Sequence, residues 1–345
     1  MNTIDFNTIT KVINVKKFLK LDAVKSLVIY SPTSVIKNKI NLDNVNFDYY
    51  STDEITKEKS KIDKKFSTLK KYHQIISIGG GTAIDIGKYL SYKFNIKLIA
   101  IPTMLSTNAY STNKVALVVD NKVISLDATM PTNIYFDNDV LKQSMENNLY
   151  GIVDIFSIFT ALNDWNLAIK YNNEIKSNEY EWANDLLNST MKYISNNSIA
   201  SIENDVSFVY AKIGESGLIT NKYGSGKPES GSEHIFAKAL EKEINIPHAI
   251  SVGNGIILMT IAQYLITNNK KEYEKGMSII SLLKKMKVFE LNEKYSISYE
   301  LVEKVFNNLK PRKDRYSVVD LIYNNQEIKN KILKEYINIL NLKED

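Results

Sequence analysis

The sequence predicts two domains: a doubly wound α/β domain over residues 1–145 and an all-helical domain over 146–345. Three observations predict it. Up to about residue 140, short apolar runs alternate with amphipathic stretches, which implies strands joined by helical crossovers in a parallel sheet. After about Tyr150 the strand-like runs vanish, and long segments carry apolar residues at helical spacing. The chain of 345 residues is also long enough for two domains of roughly 100–200 residues each.

In chain order, Ser26–Tyr30 (SLVIY) is a buried strand closed by Ser31-Pro32, followed by a helix to about Lys39 and a weaker strand near Val45–Tyr50. Glu54–Tyr72 is polar and helical. Ile75–Ile78 is a second buried strand running straight into Gly79-Gly80-Gly81, and a helix from about Thr82 to Phe94 carries Ile84, Tyr89 and Leu90. Lys97–Ile101 is a strand that stops at Pro102. Val115–Val119 and Val123–Leu126 are expected to form a hairpin on the edge of the sheet, and Ile134–Phe136 to add its last strand. The boundary falls within Asp139–Gly151. Beyond it, helices are expected over Val153–Lys170, Tyr180–Asn196, Val206–Ile219, His234–Leu240, Gly255–Ile266, Tyr273–Met286 and through the last 45 residues.

Composition narrows the chemistry. Hydrophobic residues make up 44%, enough for a core in each half. The net charge of +5 comes from lysines scattered among Asn, Glu and Asp, without the basic stripes and interleaved aromatics that nucleic-acid binding needs. Cysteine is absent, so disulfides, thiolate metal sites and cysteine nucleophiles are excluded. The charged N-terminus has no apolar h-region, and no stretch reaches the roughly 18 apolar residues of a membrane span, so a cytoplasmic location is expected.

Ile75–Lys88 reads IISIGGGTAIDIGK: strand, three glycines, helix. Glycines at such a turn let backbone approach a pyrophosphate, whose charge meets the free N–H groups of the helix N-terminus. Gly80, Gly81 and Thr82 are thus candidate contacts of a dinucleotide on a Rossmann-like domain, with Asp85 placed in the first helical turn. Pro102–Asn108 closes the next strand, and loops at strand C-termini line the ligand crevice of a parallel sheet. Thr103, Ser106 and Thr112 are therefore placed to bond the nicotinamide half.

Of three histidines, His73 has no assigned role, whereas His234 and His248 stand fourteen residues apart, each near a helix start. Ser232 is a plausible N-cap for the first of these helices. Asp154 is expected near the start of the first helix after the boundary. One carboxylate and two imidazoles can hold a divalent cation with an open position, the pattern of a catalytic site.

These segments resemble, in order, the motifs of a known superfamily. GGGTAIDIGK resembles the GGGS-x-x-D-x-x-K nucleotide loop of the glycerol dehydrogenases, iron-type alcohol dehydrogenases and dehydroquinate synthases. GIVDIFSIFTALNDWNLA, ESGLITNKYGSGKPESGSEHIF and IPHAISVGNGII resemble the three segments that deliver its metal ligands. The likeness spans about Ile75–Thr260 and is greatest to the sn-glycerol-1-phosphate dehydrogenases.

The resemblance implies a dehydroquinate synthase-like fold and a metal-dependent dehydrogenase that uses NAD or NADP. It implies that Asp154, His234 and His248 ligate the metal, which is zinc first, with nickel or iron as the other candidates. An iron-type site would normally add a third histidine, which the helical half lacks. Gly80, Gly81, Thr82, Asp85, Thr103, Ser106 and Thr112 would contact the cofactor, while Asn108 and Lys238 would contact a small, phosphorylated ketone. Lys238 shares a helix face with His234 at i and i+4. A homodimer or larger homo-oligomer is expected.

Three residues depart from the pattern, Asn108, Ala109 and Ala249. The family's S-x-D-G loop has become Ser106-Thr107-Asn108-Ala109, and the glycine after the last histidine is Ala249. A sugar-phosphate cyclase of the dehydroquinate synthase type is the main rival reading; Asp154 and the Asp164-Trp165 pair favour the dehydrogenase. An idle homologue that only binds or assembles is a second rival, kept open by Asn108. No acidic residue follows the first strand, at Tyr30–Ser34, to select NAD over NADP.

Overall fold

Strand residues of the N-terminal half alternate between two apolar clusters, one on each face of a sheet. Leu27, Ile29 and Ile75 join one, and Val28, Ile76 and Ile78 join the other. Burial on both faces is why these strands appear in the sequence as continuous apolar runs. The structure, a computed structural model, describes residues 9–340, the side chains of 145–147 apart.

The strands are β1 (Thr10–Val12), β2 (Ser26–Tyr30), β3 (Phe47–Ser51), β4 (Gln74–Gly79), β5 (Lys97–Pro102), β6 (Lys114–Val119), β7 (Lys122–Asp127) and β8 (Asn133–Phe136). Six of them form one sheet in the order β1-β8-β5-β4-β2-β3, with every pairing parallel. From β2 the chain turns outward to β3, and from β4 it turns the other way to β5. The order therefore reverses between β2 and β4, where ligands of open α/β sheets bind at the strand C-termini. Ser31 directly follows β2, and Gly79 ends β4.

Three expectations need correction. The β6–β7 hairpin is antiparallel but forms a two-stranded sheet of its own instead of an edge of the large one. Strand β1 is added at the edge, next to β8. The expected helix Glu54–Tyr72 is two short helices, Thr52–Ile55 and Lys59–Lys65, broken where Thr56 adopts φ 55°.

Among the helices are α1 (Gly81–Phe94), α2 (Met145–Asn172), α3 (Val206–Tyr223), α4 (Ser232–Glu243) and α5 (His248–Thr267). The chain packs as two units, one of residues up to Gly151 with Glu203–Asn221, the other of Ile152–Ile202 with the chain from Lys222 on. In the first, α3 is tied to the loop after β5: Asn108 Nδ2 donates to Ser216 Oγ at 3.0 Å and Asn221 Nδ2 to the Ser111 carbonyl at 2.9 Å.

The regular elements of the second unit are all helices among its described residues. Helix α5 is buried on all sides from Ala249 to Gln263, as expected of a core helix that is apolar all round. Asn148–Asn172 and α5 are long and apolar enough to cross a bilayer, contrary to the reading that no stretch reaches that length. Their apolar windows are 78% and 83% buried in the protein, which accounts for their composition. The C-terminal region forms Tyr299–Asn307, Val318–Ile322 and Gln326–Leu340; residues 341–345 of the expected terminal helix lie outside the described residues.

Candidate active site

Strand β4 ends at Gly79 with φ 152°, and a Cβ there would lie 2.9 Å from Ser31 Cβ and 3.0 Å from Ala83 Cβ. Only glycine lets the two strand ends approach this closely. Gly80 is the N-cap of α1, in ordinary extended geometry and with no side-chain cap. The first N–H groups of α1 thus lack the usual capping oxygen, as an anion cradle requires. A Cβ on Gly80 would meet the Met104 sulfur at 3.1 Å, and one on Gly81 would meet Thr107 Oγ1 at 3.2 Å. The glycine turn and the loop after β5 therefore pack together. Thr103 N donates to the Gly79 carbonyl at 3.1 Å, and Thr103 Oγ1 donates to Ser34 Oγ at 2.8 Å.

Asp85 lies in the second turn of α1, not the first, and is buried. Its Oδ2 accepts from Lys57 Nζ at 3.1 Å and from Ala116 N at 3.3 Å. Lys88, one turn on, is fully buried. Its ammonium donates to the carbonyls of Ala109, Thr112 and Lys114 and to Thr112 Oγ1, at 2.5–3.1 Å. Burial pulls its pKa down to about 8 against the partial support of Asp85. Lys88 is thereby the post on which the segment Ala109–Lys114 is wound, a role that the sequence reading missed. Thr112 presents its hydroxyl to this post. Ser106 is half-buried, and its hydroxyl has no hydrogen bond among the described residues.

In the second unit, Asp154, His234 and His248 converge. One ligand atom from each lies within 4.8 Å of the others. His234 is the third residue of α4 and His248 the first of α5. Asp154 is not near its helix start, because α2 begins at Met145, nine residues earlier. Nor is Ser232 an N-cap: Gly231 caps α4 without a side-chain bond. Instead Asp164 Oδ2 accepts from Ser232 N and Glu233 Oε1 from Gly231 N, both at 2.6 Å. Asp164 Oδ1 also accepts from Val318 N and Gln263 Nε2, each at 2.9 Å.

Each histidine has a carboxylate on its far nitrogen. His234 Nδ1 lies 2.7 Å from Glu233 Oε1, and His248 Nδ1 lies 2.6 Å from Glu241 Oε1. A carboxylate only accepts, so Nδ1 carries the proton in each ring and Nε2 is left with its lone pair. Asp154 Oδ1 is buried without a hydrogen-bond partner, 3.9 Å from His248 Nε2. Burial raises the Asp154 pKa, opposed by the two histidines. For His248 burial acts downward, but Asp154 and Glu241 outweigh it and the net shift is upward. An orphaned carboxylate oxygen facing two oriented imidazoles is a donor set that fits a divalent cation.

Glu233 and Glu241 were not singled out from the sequence, although a signal existed. His234, Lys238 and Glu241 fall at i, i+4 and i+7, on one face of α4. Lys238 is exposed as a residue, although its ammonium is partly desolvated by the groups around it, and it makes no hydrogen bond or ion pair among the described residues. His73 is exposed and remote in sequence from this set.

Comparison with known proteins bears on this arrangement. The family model for iron-containing alcohol dehydrogenases matches residues 14–144. The chain is 30% identical over 284 residues to the glycerol-1-phosphate dehydrogenase [NAD(P)+] of Pyrococcus horikoshii, covering 79% of this chain and 80% of that one. It is 32% identical to the enzyme of the same name from Pyrococcus abyssi, covering 73% and 75%. Among solved structures, a probable glycerol dehydrogenase from Sinorhizobium meliloti superposes with a TM-score of 0.66 over 95% of each chain. At 14% identity that likeness speaks for the fold.

Proposed function

This chain belongs to the NAD(P)-dependent dehydrogenase family that includes the glycerol-1-phosphate dehydrogenases and iron-containing alcohol dehydrogenases, and from that membership we propose that it interconverts a small phosphorylated ketone and its alcohol. The substrate class is a three-carbon polyol phosphate of the glycerol-1-phosphate type. The observation that carries the reading is the Asp154–His234–His248 set, with both imidazoles held by carboxylates.

In this proposal Asp154, His234 and His248 hold one divalent cation, zinc, through an oxygen and two Nε2 atoms. Two imidazoles and one carboxylate suit zinc, and no third histidine lies with them among the described residues. The chemistry that the absent groups supply when bound is hydride exchange from the nicotinamide and polarisation of a carbonyl oxygen by the cation. The protein's part is positional. Glu233 and Glu241 fix the imidazole rings and keep their protons on Nδ1. Gly80, Gly81 and Thr82 leave the N-terminus of α1 open to a pyrophosphate, and Lys88 holds the neighbouring loop in shape. Lys238, which has no ion pair among the described residues, would pair an anionic group of the substrate.

The test is turnover after chelation, followed by addition of zinc, nickel or iron, with phosphorylated and free three- to six-carbon ketones and reduced-nicotinamide absorbance as the readout. A phosphorylated three-carbon ketone should be the best substrate, with activity restored by zinc. Asp154→Ala, His234→Ala and His248→Ala should each abolish turnover while NAD(P)H binding survives. Near wild-type activity in any one of them would overturn the three-ligand site.

A further inference from the structure

Among 44 basic residues this chain has two arginines, Arg312 and Arg315, three positions apart. Every other permanent cation is a lysine. A guanidinium differs from an ammonium in presenting a planar fork of donors that matches phosphate oxygens two at a time. The pair stands in Pro311-Arg312-Lys313-Asp314-Arg315, a tight turn closed by an antiparallel bridge between the two arginines themselves. Both side chains therefore leave the chain from facing positions of the turn.

The turn is attached to the helix that carries His234. Arg315 Nη1 donates to the carbonyl of Ser230, with the Gly226 carbonyl at 3.5 Å, and Ser230 immediately precedes the Gly231 cap of α4. Among the described residues the other donors of Arg315 have no partner. Arg312 forms a two-point pair with Asp314, Nε to Oδ1 at 3.0 Å and Nη2 to Oδ2 at 2.6 Å. Lys238 lies one helical turn beyond His234 and has no ion pair among the described residues.

The anions around these cations are already engaged. Glu241 accepts from His248 and Ser251. Glu233 accepts from Gly231, His234 and Thr160, and Asp164 from Ser232, Val318 and Gln263. Three cations thus have beside them one carboxylate outside the network around the histidines, that of Asp314, and it is paired with Arg312. Burial first, then the charges of Arg312 and Arg315, hold the Lys238 pKa below its ordinary value, and Arg315 is lowered by burial and by Arg312. Like charges gathered where water is partly excluded are unfavourable unless an anion joins them.

We propose that the Arg312–Arg315 turn, together with Lys238, is the subsite that receives the phosphate of the substrate, with the two guanidinium groups setting specificity for a phosphorylated over a free polyol. This rests on the phosphorylated-substrate reading given above and deepens it. Arg315 would bring its unpartnered donors to the phosphate, and Arg312 would exchange Asp314 for it.

The experiment uses the full-length protein and two variants, Arg312→Gln and Arg315→Lys. Binding of inorganic phosphate is measured by titration calorimetry. Separately, kcat and KM are measured for dihydroxyacetone phosphate and for free dihydroxyacetone. Phosphate affinity should fall about tenfold or more in each variant, and the kcat/KM preference for the phosphorylated ketone should fall by a similar factor through KM, as expected for loss of a charge-assisted pair. Arg315→Lys keeps the charge but not the fork, and Arg312→Gln removes a side chain that bonds no backbone carbonyl, so it decides the matter if the other variant unfolds. Wild-type phosphate affinity in folded variants would overturn the subsite, as would an unchanged substrate preference. If the wild-type protein instead favours free polyols, the substrate reading falls, and the calorimetry alone then decides whether the arginines bind phosphate.

Discussion

Glu241, in the last turn of α4, places its Oε1 2.6 Å from Nδ1 of His248, the first residue of α5, so one helix end orients the ring that opens the next. Ser251 Oγ donates to the same carboxylate oxygen. The Glu241 carboxyl, which burial alone would raise, is held below its usual range by His248 and Ser251.

Removing this brace should weaken the metal site without dismantling the fold. Outer-shell partners of ligating histidines are typically worth 10–100-fold in metal affinity, so Glu241→Ala is expected to weaken zinc binding by about that factor. Glu241→Gln, which retains an acceptor but not the charge, should fall between. Competition against a chromophoric chelator measures it, and unaltered affinity in both variants would show that the His248 ring needs no such support.

Gly80 and Gly79 should respond differently to substitution. Gly80 has ordinary φ, and the nearest atoms to an added Cβ are the Met104 sulfur and its Cγ, the far end of a flexible side chain. Gly80→Val should therefore fold but lose NAD(P)H affinity, because its side chain would stand where the pyrophosphate approaches α1. Gly79→Ala should lose stability first, since φ 152° and Ser31 Cβ at 2.9 Å leave no room. Thermal melts with a fluorescence titration of NAD(P)H separate the two. A folded Gly80→Val protein of unchanged affinity excludes this turn as the cradle.

Asp164 gives stability a pH dependence of unusual sign. Burial, with the Glu233 charge, pushes its carboxyl up to about 6 from an ordinary 3.8, although Ser232, Val318 and Gln263 oppose the shift with their bonds. Between these values the folded state binds more proton than the unfolded one, so the stability from this group is greatest below about pH 4 and declines as pH rises to 6. The full decline is about 3 kcal/mol at 1.36 kcal/mol per pH unit. Denaturant unfolding of wild type against Asp164→Asn from pH 4 to 7.5 should show the wild-type advantage shrinking with pH. A difference that is flat or grows would mean that the three donors keep Asp164 ionised throughout.

Much of the fold was visible in the sequence because burial on both faces writes uninterrupted apolar runs. Ser26–Tyr30, Ile75–Ile78 and Lys97–Ile101 are such runs, and they became the centre of the sheet. Strand β1 was not visible, since Thr-Lys-Val is three residues long and partly exposed at an edge. The detachment of β6–β7 was hidden because a hairpin pattern states local pairing and not which sheet receives it. The start of α2 was misjudged because its first turns pass through Met145–Leu149, a stretch whose Glu and Asn residues look like a linker. At the site, His234 and His248 stood out by scarcity and Lys88 as the last position of the glycine-loop motif, whereas Glu233 and Glu241 were lost among dozens of charged residues. The role of Lys88 depends on partners some twenty residues or more along the chain, such as Ala109, which periodicity does not reveal, whereas Glu233 and Glu241 lie within seven residues of the rings they hold.

Lys238 should pair the anionic group of the substrate. Its ammonium is one helical turn from His234, and no carboxylate pairs with it among the described residues, while burial and two arginines disfavour its charge. A cation kept in such surroundings is stabilised when an anionic substrate arrives. Replacement by methionine preserves the length and apolar stem but removes the charge, so packing should survive. Charge-assisted bonds are worth about 1.5–3 kcal/mol each, and 1.4 kcal/mol is tenfold in an equilibrium constant, so Lys238→Met should raise KM for the phosphorylated ketone roughly tenfold or more. The KM for NAD(P)H should stay nearly constant, because the glycine turn that would hold the cofactor belongs to the other unit. Lys238→Arg should recover part of the loss, as a role in charge pairing requires and a role in packing does not. Steady-state kinetics with phosphorylated and free ketones decides it. If Lys238→Met leaves KM unchanged for every phosphorylated substrate that turns over, Lys238 does not pair the phosphate.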